Sequence, residues 1–343
     1  MSSNYLLPAT RFAAMASLLA VAPGLIAAAK ESKEAKKPVA VKFGVKTPGV
    51  QIPFASLKSD AEIKLEAAPT GVAFTTEILI SAGNTVQRVD AKTNKTGEAL
   101  TGFDNACGGL LNALSNVWVV NCGSKTLAKA SLKPAKIAAS IESGAGKASP
   151  ALAASTDSIW QLSSDNATLS RIDPKENTVV ADLRLPAGCN SILFAENSLW
   201  VTCPAVDRVL RIDPRTNLVD KRIEVAGKPS AVAFGAASIW VLAEKEGKVA
   251  QIDPKTNKVS TTIDLSIPNA AGNIAFGDGS VWLSAPGFPI TRINPETGKV
   301  VQQFTGEGAG TIYSGLNSIW LANPQTKTVT RFDPKRIVAT LAD

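Results

Sequence analysis

Two stretches of the chain, forty residues apart, carry the same succession of apolar and polar positions. "SLWVTCPAVDRVLRIDPRTNLVDKRIEV" begins at Ser198 and "SIWVLAEKEGKVAQIDPKTNKVSTTIDL" begins at Ser238. In "SIWVLA" (238–243) a period of two puts Trp240 and Leu242 on one face, and Ile239 and Val241 on the other. Both faces are apolar, so this strand needs cover on both sides. The run before it, "AVAFG" (231–235), is short and small, as an inner strand near a crowded axis must be. "KVAQID" alternates, and "VSTTIDL" has the polar positions of an outer, half-wet strand. Between them "DPKTNK" reads as a turn: Asp caps the backbone, Pro fixes φ, and Asn accepts the left-handed conformation.

The unit recurs. Aligned on Trp118, Trp160, Trp200, Trp240, Trp282 and Trp320, with Ile80 as a seventh anchor, it repeats at spacings of 38, 42, 40, 40, 42 and 38. Ile80 enters because "GVAFTTEILI" aligns without gaps on "AVAFGAASIW". The turn returns as "RVDAKTN" (88–94), "RIDPKEN" (171–177), "RINPETG" (292–298) and "RFDPKR" (331–336), and is degenerate in the second unit. Seven units of four strands predict an all-β fold: a seven-bladed β-propeller of four-stranded antiparallel blades, over residues 61–343. "AEIKLEA" (61–67) is expected to supply the outer strand of the last blade and close the ring. "RIVATL" (336–341) competes for that position. The turn Asp residues lie in separate blades and cannot converge on a metal. The regular Trp positions indicate core, not a ligand cage.

The first 29 residues differ from the rest. Arg11 precedes the apolar run "FAAMASLLAVAPGLIAAA", which ends in small residues, the pattern of a cleaved secretory signal. Pro23-Gly24 would interrupt an uncleaved membrane anchor. Residues 30–60, opening with "KESKEAKKP", are read as a linker and N-terminal extension. A periplasmic or secreted protein follows, with no stable membrane span after signal cleavage. The formal charge of +7 is spread along the chain, apart from the Lys-rich run of residues 30–37, which argues against nucleic acid as a partner. Four cysteines form two sets, and hairpin arithmetic centres Cys107 with Cys122, and Cys189 with Cys203, on predicted turns. Two disulfides are expected, in preference to a Cys₄ metal site shared by two non-adjacent blades.

The units built on "SIWV…RIDPKTNKV" resemble the virginiamycin B lyase-like and YVTN-type bacterial propeller repeats over about residues 60–343. "GVQIPFASLKSDAEIKL" (49–65) and "CGGLLNALSNVWVVNCGSKTLAK" (107–129) resemble a secreted subgroup of these. The resemblance implies a histidine and a bound Mg²⁺ at the central face of the lyase. This chain contains no histidine, so no residue carries over as catalytic base. The expected role is therefore a non-catalytic binding or scaffold propeller; the alternative is a metal-dependent lyase or lactonase. Ligands of propellers usually enter one channel face, built from the connections before each inner strand and after each second strand. The candidate residues there are Asp104, Asn105, Lys147, Asn190, Lys228, Asn269, Asn273 and Glu307. No cofactor is expected; Ca²⁺ or Mg²⁺ are the ions such a channel mouth would take. The expected partner is a protein or small molecule, and the chain is expected to be a monomer.

Overall fold

A computed structural model describes residues 43–145, 151–163 and 167–340. It is a seven-bladed propeller. The expected leader (1–29) and Lys147 lie outside the described residues. Blade 5 shows the unit in its regular form. Pro229–Gly235, Ser238–Ala243, Lys248–Asp253 and Lys258–Asp264 are hydrogen-bonded in that order, every pair antiparallel. The second strand is buried at all six positions, while the outer strand buries only Ile263.

Packing explains the small inner strands. A methyl group added to Gly235 would overlap the Phe276 ring of the next blade, and one on Gly277 would overlap Ser314. Close approach of neighbouring blades therefore excludes side chains at these positions.

Blade 1 departs from the repeat. Its strands are Pro69–Phe74, Glu77–Ala82 and Thr85–Asp90, and the fourth is reduced to the bridges Val86↔Leu100 and Val89↔Thr96. The gapless alignment that made Ile80 an anchor is off by one. Ala73 pairs with Leu79, as Ala233 pairs with Trp240, and Leu79 faces Arg88, as Trp200 faces Arg211. The hairpin of blade 1 is one residue shorter, so its periodicity slips by one and Leu79 takes the core position.

All six tryptophans are fully buried. Each packs its indole between blades and also satisfies its N–H. Nε1 of Trp118, Trp200, Trp240, Trp282 and Trp320 donates to the carbonyl five residues back, at 2.9–3.1 Å. Trp160 donates to Ser155 Oγ at 3.1 Å. A third-strand cation lies over five of these rings, and four of the five cross to the next blade. Arg211 sits 5.1 Å from the Trp200 centroid and donates to Pro254 O at 2.7 Å and Asn257 Oδ1 at 2.8 Å. Lys129, Arg171 and Arg331 make the same latch, to Pro174 and Asn177, to Pro214 and Asn217, and to Ala91 and Asn94. The last of these joins blade 7 to blade 1 and so helps close the ring.

Closure by strand pairing uses Ala61–Lys64, antiparallel to Thr328–Phe332. The competing segment does not become a strand: Pro334–Ala339 is a short helix, capped by Asp333, whose side chain accepts from the Lys335 N–H at 2.8 Å. Proline at the first helical position and a capping Asp favour helix over strand here. Residues 43–60 lie along blades 5 to 7, and Gln51–Pro53 pairs parallel with the outer strand of blade 6, Lys299–Thr305.

Candidate functional site

The propeller has two faces. The turn face carries the hairpins between first and second strands and the repeated Asp-Pro turns. The loop face carries the connections into each inner strand and out of each second strand. It also holds both disulfides, Cys107–Cys122 and Cys189–Cys203, with Cα atoms 5.8 Å and 3.9 Å apart. Cys189–Cys203 is fully buried, whereas Cys107 sits in an irregular stretch where the strand pairing skips from Ala106 to Leu110.

Polar groups on the turn face are spent on structure. Asp173 Oδ1 accepts from the N–H groups of Lys175 and Glu176, and Asp90 accepts from those of Lys92 and Thr93. The repeated asparagines Asn94, Asn177, Asn217 and Asn257 take φ of 56–58° and accept the latches. The Asp90, Asp173 and Asp253 carboxyls are held below the usual range chiefly by backbone N–H donors, and Asp213 chiefly by Arg215. Clefts between blades 2 and 3 and between blades 3 and 4 open on this face, lined by the latch residues Arg171 and Arg211 among others.

The loop-face candidates fall into two groups. Asn190 and Asn273 are committed. Asn190 Oδ1 accepts the Thr202 hydroxyl at 2.9 Å, and Asn273 Oδ1 is 2.6 Å from the Ile274 N–H. Asp104, Asn105, Lys228, Asn269 and Glu307 are exposed. Two of their backbones are tied down: Asn105 N–H donates to Asn84 Oδ1 at 3.0 Å, and Lys228 N–H to Asp207 Oδ1 at 2.8 Å. Asn105, Lys228 and Asn269 hold φ of 54–60°, in the left-handed region. Their side chains make no hydrogen bond or ion pair among the described residues, and no such bond joins one candidate to another. Among those residues no three His, Cys, Asp or Glu side chains gather as a metal-binding group.

Sequence reasoning missed Tyr313, on the inner strand of blade 7 (Thr311–Gly315). Burial pushes its hydroxyl up to about 12, partly countered by the Val72 backbone and the Thr311 hydroxyl. The phenol is neutral at ordinary pH, and the side chain packs against the cluster of Val72 (blade 1) and Trp320 (blade 7). Its place in the inner-strand position of the repeat was the available signal.

Fold and faces together define a seven-bladed propeller whose variable loops surround one mouth of the channel. Among solved structures the chain is similar to a streptogramin B lyase, at 17% identity and TM-score 0.68, over 79% of this chain and 96% of that one. It is similar to virginiamycin B lyase from Staphylococcus aureus, at 16% identity and TM-score 0.66, over 79% of this chain and 97% of that one. A catalytically inactive histidine-to-alanine variant of that enzyme, with quinupristin, matches at 18% identity and TM-score 0.66, with coverage of 79% and 97%. At such identities the likeness is one of fold. No family model and no curated protein matches the sequence.

Proposed function

We propose that this chain is an extracytoplasmic, non-catalytic binding or scaffold propeller, with its ligand or partner seated on the loop face at the channel mouth. The observation that carries this reading is the contrast in how polar side chains are used. Turn-face groups repeat from blade to blade and are consumed by caps and latches. Asp104, Lys228 and Glu307 repeat in no blade, Asn105 and Asn269 share a position only between blades 2 and 6, and the side chains of all five are exposed and uncommitted among the described residues. Exposed polar groups on loops carried by a packed scaffold are what a binding surface offers. Absence of histidine from the whole chain removes the residue type implicated by the inactive lyase variant. Two disulfides suit an oxidising compartment, as the leader-like N-terminus does.

Fold likeness favours one other reading, a metal-dependent lyase acting on a streptogramin-type compound. Incubation with quinupristin and Mg²⁺, followed by chromatography, separates the two. We expect the compound to be recovered unchanged. Conversion that Asp104→Asn or Glu307→Gln abolishes would overturn the non-catalytic reading. Fractionation of cells expressing a tagged chain is expected to place it in the periplasm or medium, with no titratable thiol.

A further inference from the structure

Among the described residues the latch that joins the blades is missing at three seams, two of them consecutive. In the regular seams, the third-strand cation stacks on its own Trp and donates to the Pro carbonyl and Asn side chain of the following turn. At the seam between blades 5 and 6 both halves are gone: Gln251 stands in the cation position and Gly298 in the Asn position. Among the described residues the Gln251 side chain donates only to Ser238 Oγ, at 2.9 Å, inside its own blade. Between blades 6 and 7 the cation is present, but Arg292 turns to Ser280 and Gln302 of its own blade, at 2.8 and 3.0 Å. The turn it would have met has become the helix Pro334–Ala339.

Residues 43–58 lie across these same two seams. Gly44 N–H donates to Ser266 O at 2.7 Å, just past the outer strand of blade 5. Val45 N–H donates to Gln303 Oε1 of blade 6 at 2.8 Å, and Gln303 N–H donates to Val50 O at 2.8 Å. Val50 is buried in the cluster that holds Ile263 and Leu265 of blade 5 and Val300 of blade 6. Ile52, Phe54 and Leu57 pack on the cluster of Phe304 (blade 6), Phe332 (blade 7) and Ile337. The Phe54 and Phe332 rings lie 5.8 Å apart. Gln303 is fully buried, so its two bonds to the strap and to Leu265 O replace lost solvent. The seam between blades 1 and 2 also lacks the latch, since Arg88 pairs with Glu77 at 2.8 Å. That seam is bridged directly instead, by Thr70 to Ala106 O at 2.9 Å and Asn112 to Phe74 O at 3.0 Å.

We infer that residues 43–58 are a structural strap that replaces the two consecutive absent latches, so that blades 5, 6 and 7 are held from outside while the others are held from within. The strap and a latch at the same seam then do the same work, and each compensates for loss of the other. The test uses the full chain in a double-mutant cycle. Val50→Asp with Phe54→Ala releases the strap. Gln251→Arg with Gly298→Asn installs the missing latch; Gly298 has φ of 62°, a conformation asparagine accepts. Strap release is expected to lower Tm by about 5 °C and to speed hydrogen exchange in 299–305 more than in 218–224. The installed latch is expected to change the intact protein by about 1 °C and to restore at least half of the loss in the released one. A synthetic peptide of residues 43–58, added to the released variant, is expected to raise its Tm. Equal effects of the latch in both backgrounds, a strap-released chain that melts like the intact one, or exchange spread evenly over the blades would each overturn the inference. If the released variant does not fold, the latch variant and the peptide, tested on a chain carrying Phe54→Ala alone, decide by the same criterion.

Discussion

The turn face and the loop face are built from the same strands and have opposite relations to the repeat. On the turn face the same residues return in the same roles: Asp90, Asp173, Asp213 and Asp253 accept from the backbone of their own turns, and Asn94, Asn177, Asn217 and Asn257 accept latches. On the loop face little returns, and no candidate polar side chain does so in more than two blades: Asn105 and Asn269 stand at matching positions before Trp118 and Trp282, both at φ of 54°. Two hairpins carry disulfides, and the exposed groups range from Asp104 through Lys228 to Glu307. A face whose polar atoms are consumed by holding blades together cannot change without loss of stability. Where a loop-face side chain is exposed and makes no bond among the described residues, as at Asp104, Lys228 and Glu307, it can change at little cost.

The contrast can be broken most severely from beneath the turn face. Trp240→Ala empties a fully buried indole site and removes the indole N–H bond to the Gly235 carbonyl, and is expected to cost about 3–5 kcal/mol in denaturant unfolding. A ligand-cage tryptophan would instead lose binding at unchanged stability. Next in size are the staples of the loop face. Cys189→Ser with Cys203→Ser opens a loop with a sequence separation of 14, and is expected to cost about 3 kcal/mol on the chain-entropy estimate. Thiol titration of the unfolded, unreduced parent is expected to find no free thiol.

Within the loop face, Asn190→Ala and Glu307→Ala sharpen the division between committed and free groups. Removing the acceptor of the buried Thr202 hydroxyl is expected to cost about 1–2 kcal/mol. Removing the exposed Glu307 carboxylate is expected to change stability by less than about 0.5 kcal/mol. The smallest effect concerns acid. The turn-face carboxyls have folded values below their unfolded ones, so they stabilise the fold above the ordinary Asp pKa of about 3.9, and that stabilisation is lost as pH falls through the lowered values. Asn294 already makes the same two backbone bonds without titrating. Asp173→Asn and Asp253→Asn are accordingly expected to flatten the decline in Tm as pH falls below the ordinary Asp value.

Much of this was legible because repetition multiplies weak local signals. One "DPKTNK" is only a turn, but its return at the Trp spacing located the blades, the outer strands and the burial of the tryptophans. Hairpin arithmetic likewise located both disulfides. Legibility ended where the repeat was broken. Ile80 was aligned as the core position because the chain offers no mark of a hairpin one residue short, and only pairing with Ala73 and Arg88 puts Leu79 there. "RIVATL" has the β-branched residues of a strand, but Asp333 and Pro334 cap a helix. Asn190 and Glu307 look alike as polar loop residues, and partners distant in sequence decide which of them is free.

By itself the sequence determined the properties that are local and periodic: strand faces, turns, the number of blades and the cysteine pairs. Each depends on residues within one unit, where spacing along the chain translates directly into spacing in space. The tertiary structure decided the properties that depend on separate units meeting. Arg331 latches onto a turn 240 positions away, Val45 finds Gln303 across 258, and Gly235 must be small because Phe276 of another blade occupies its space. No local pattern encodes such contacts, because they exist only once the ring has closed.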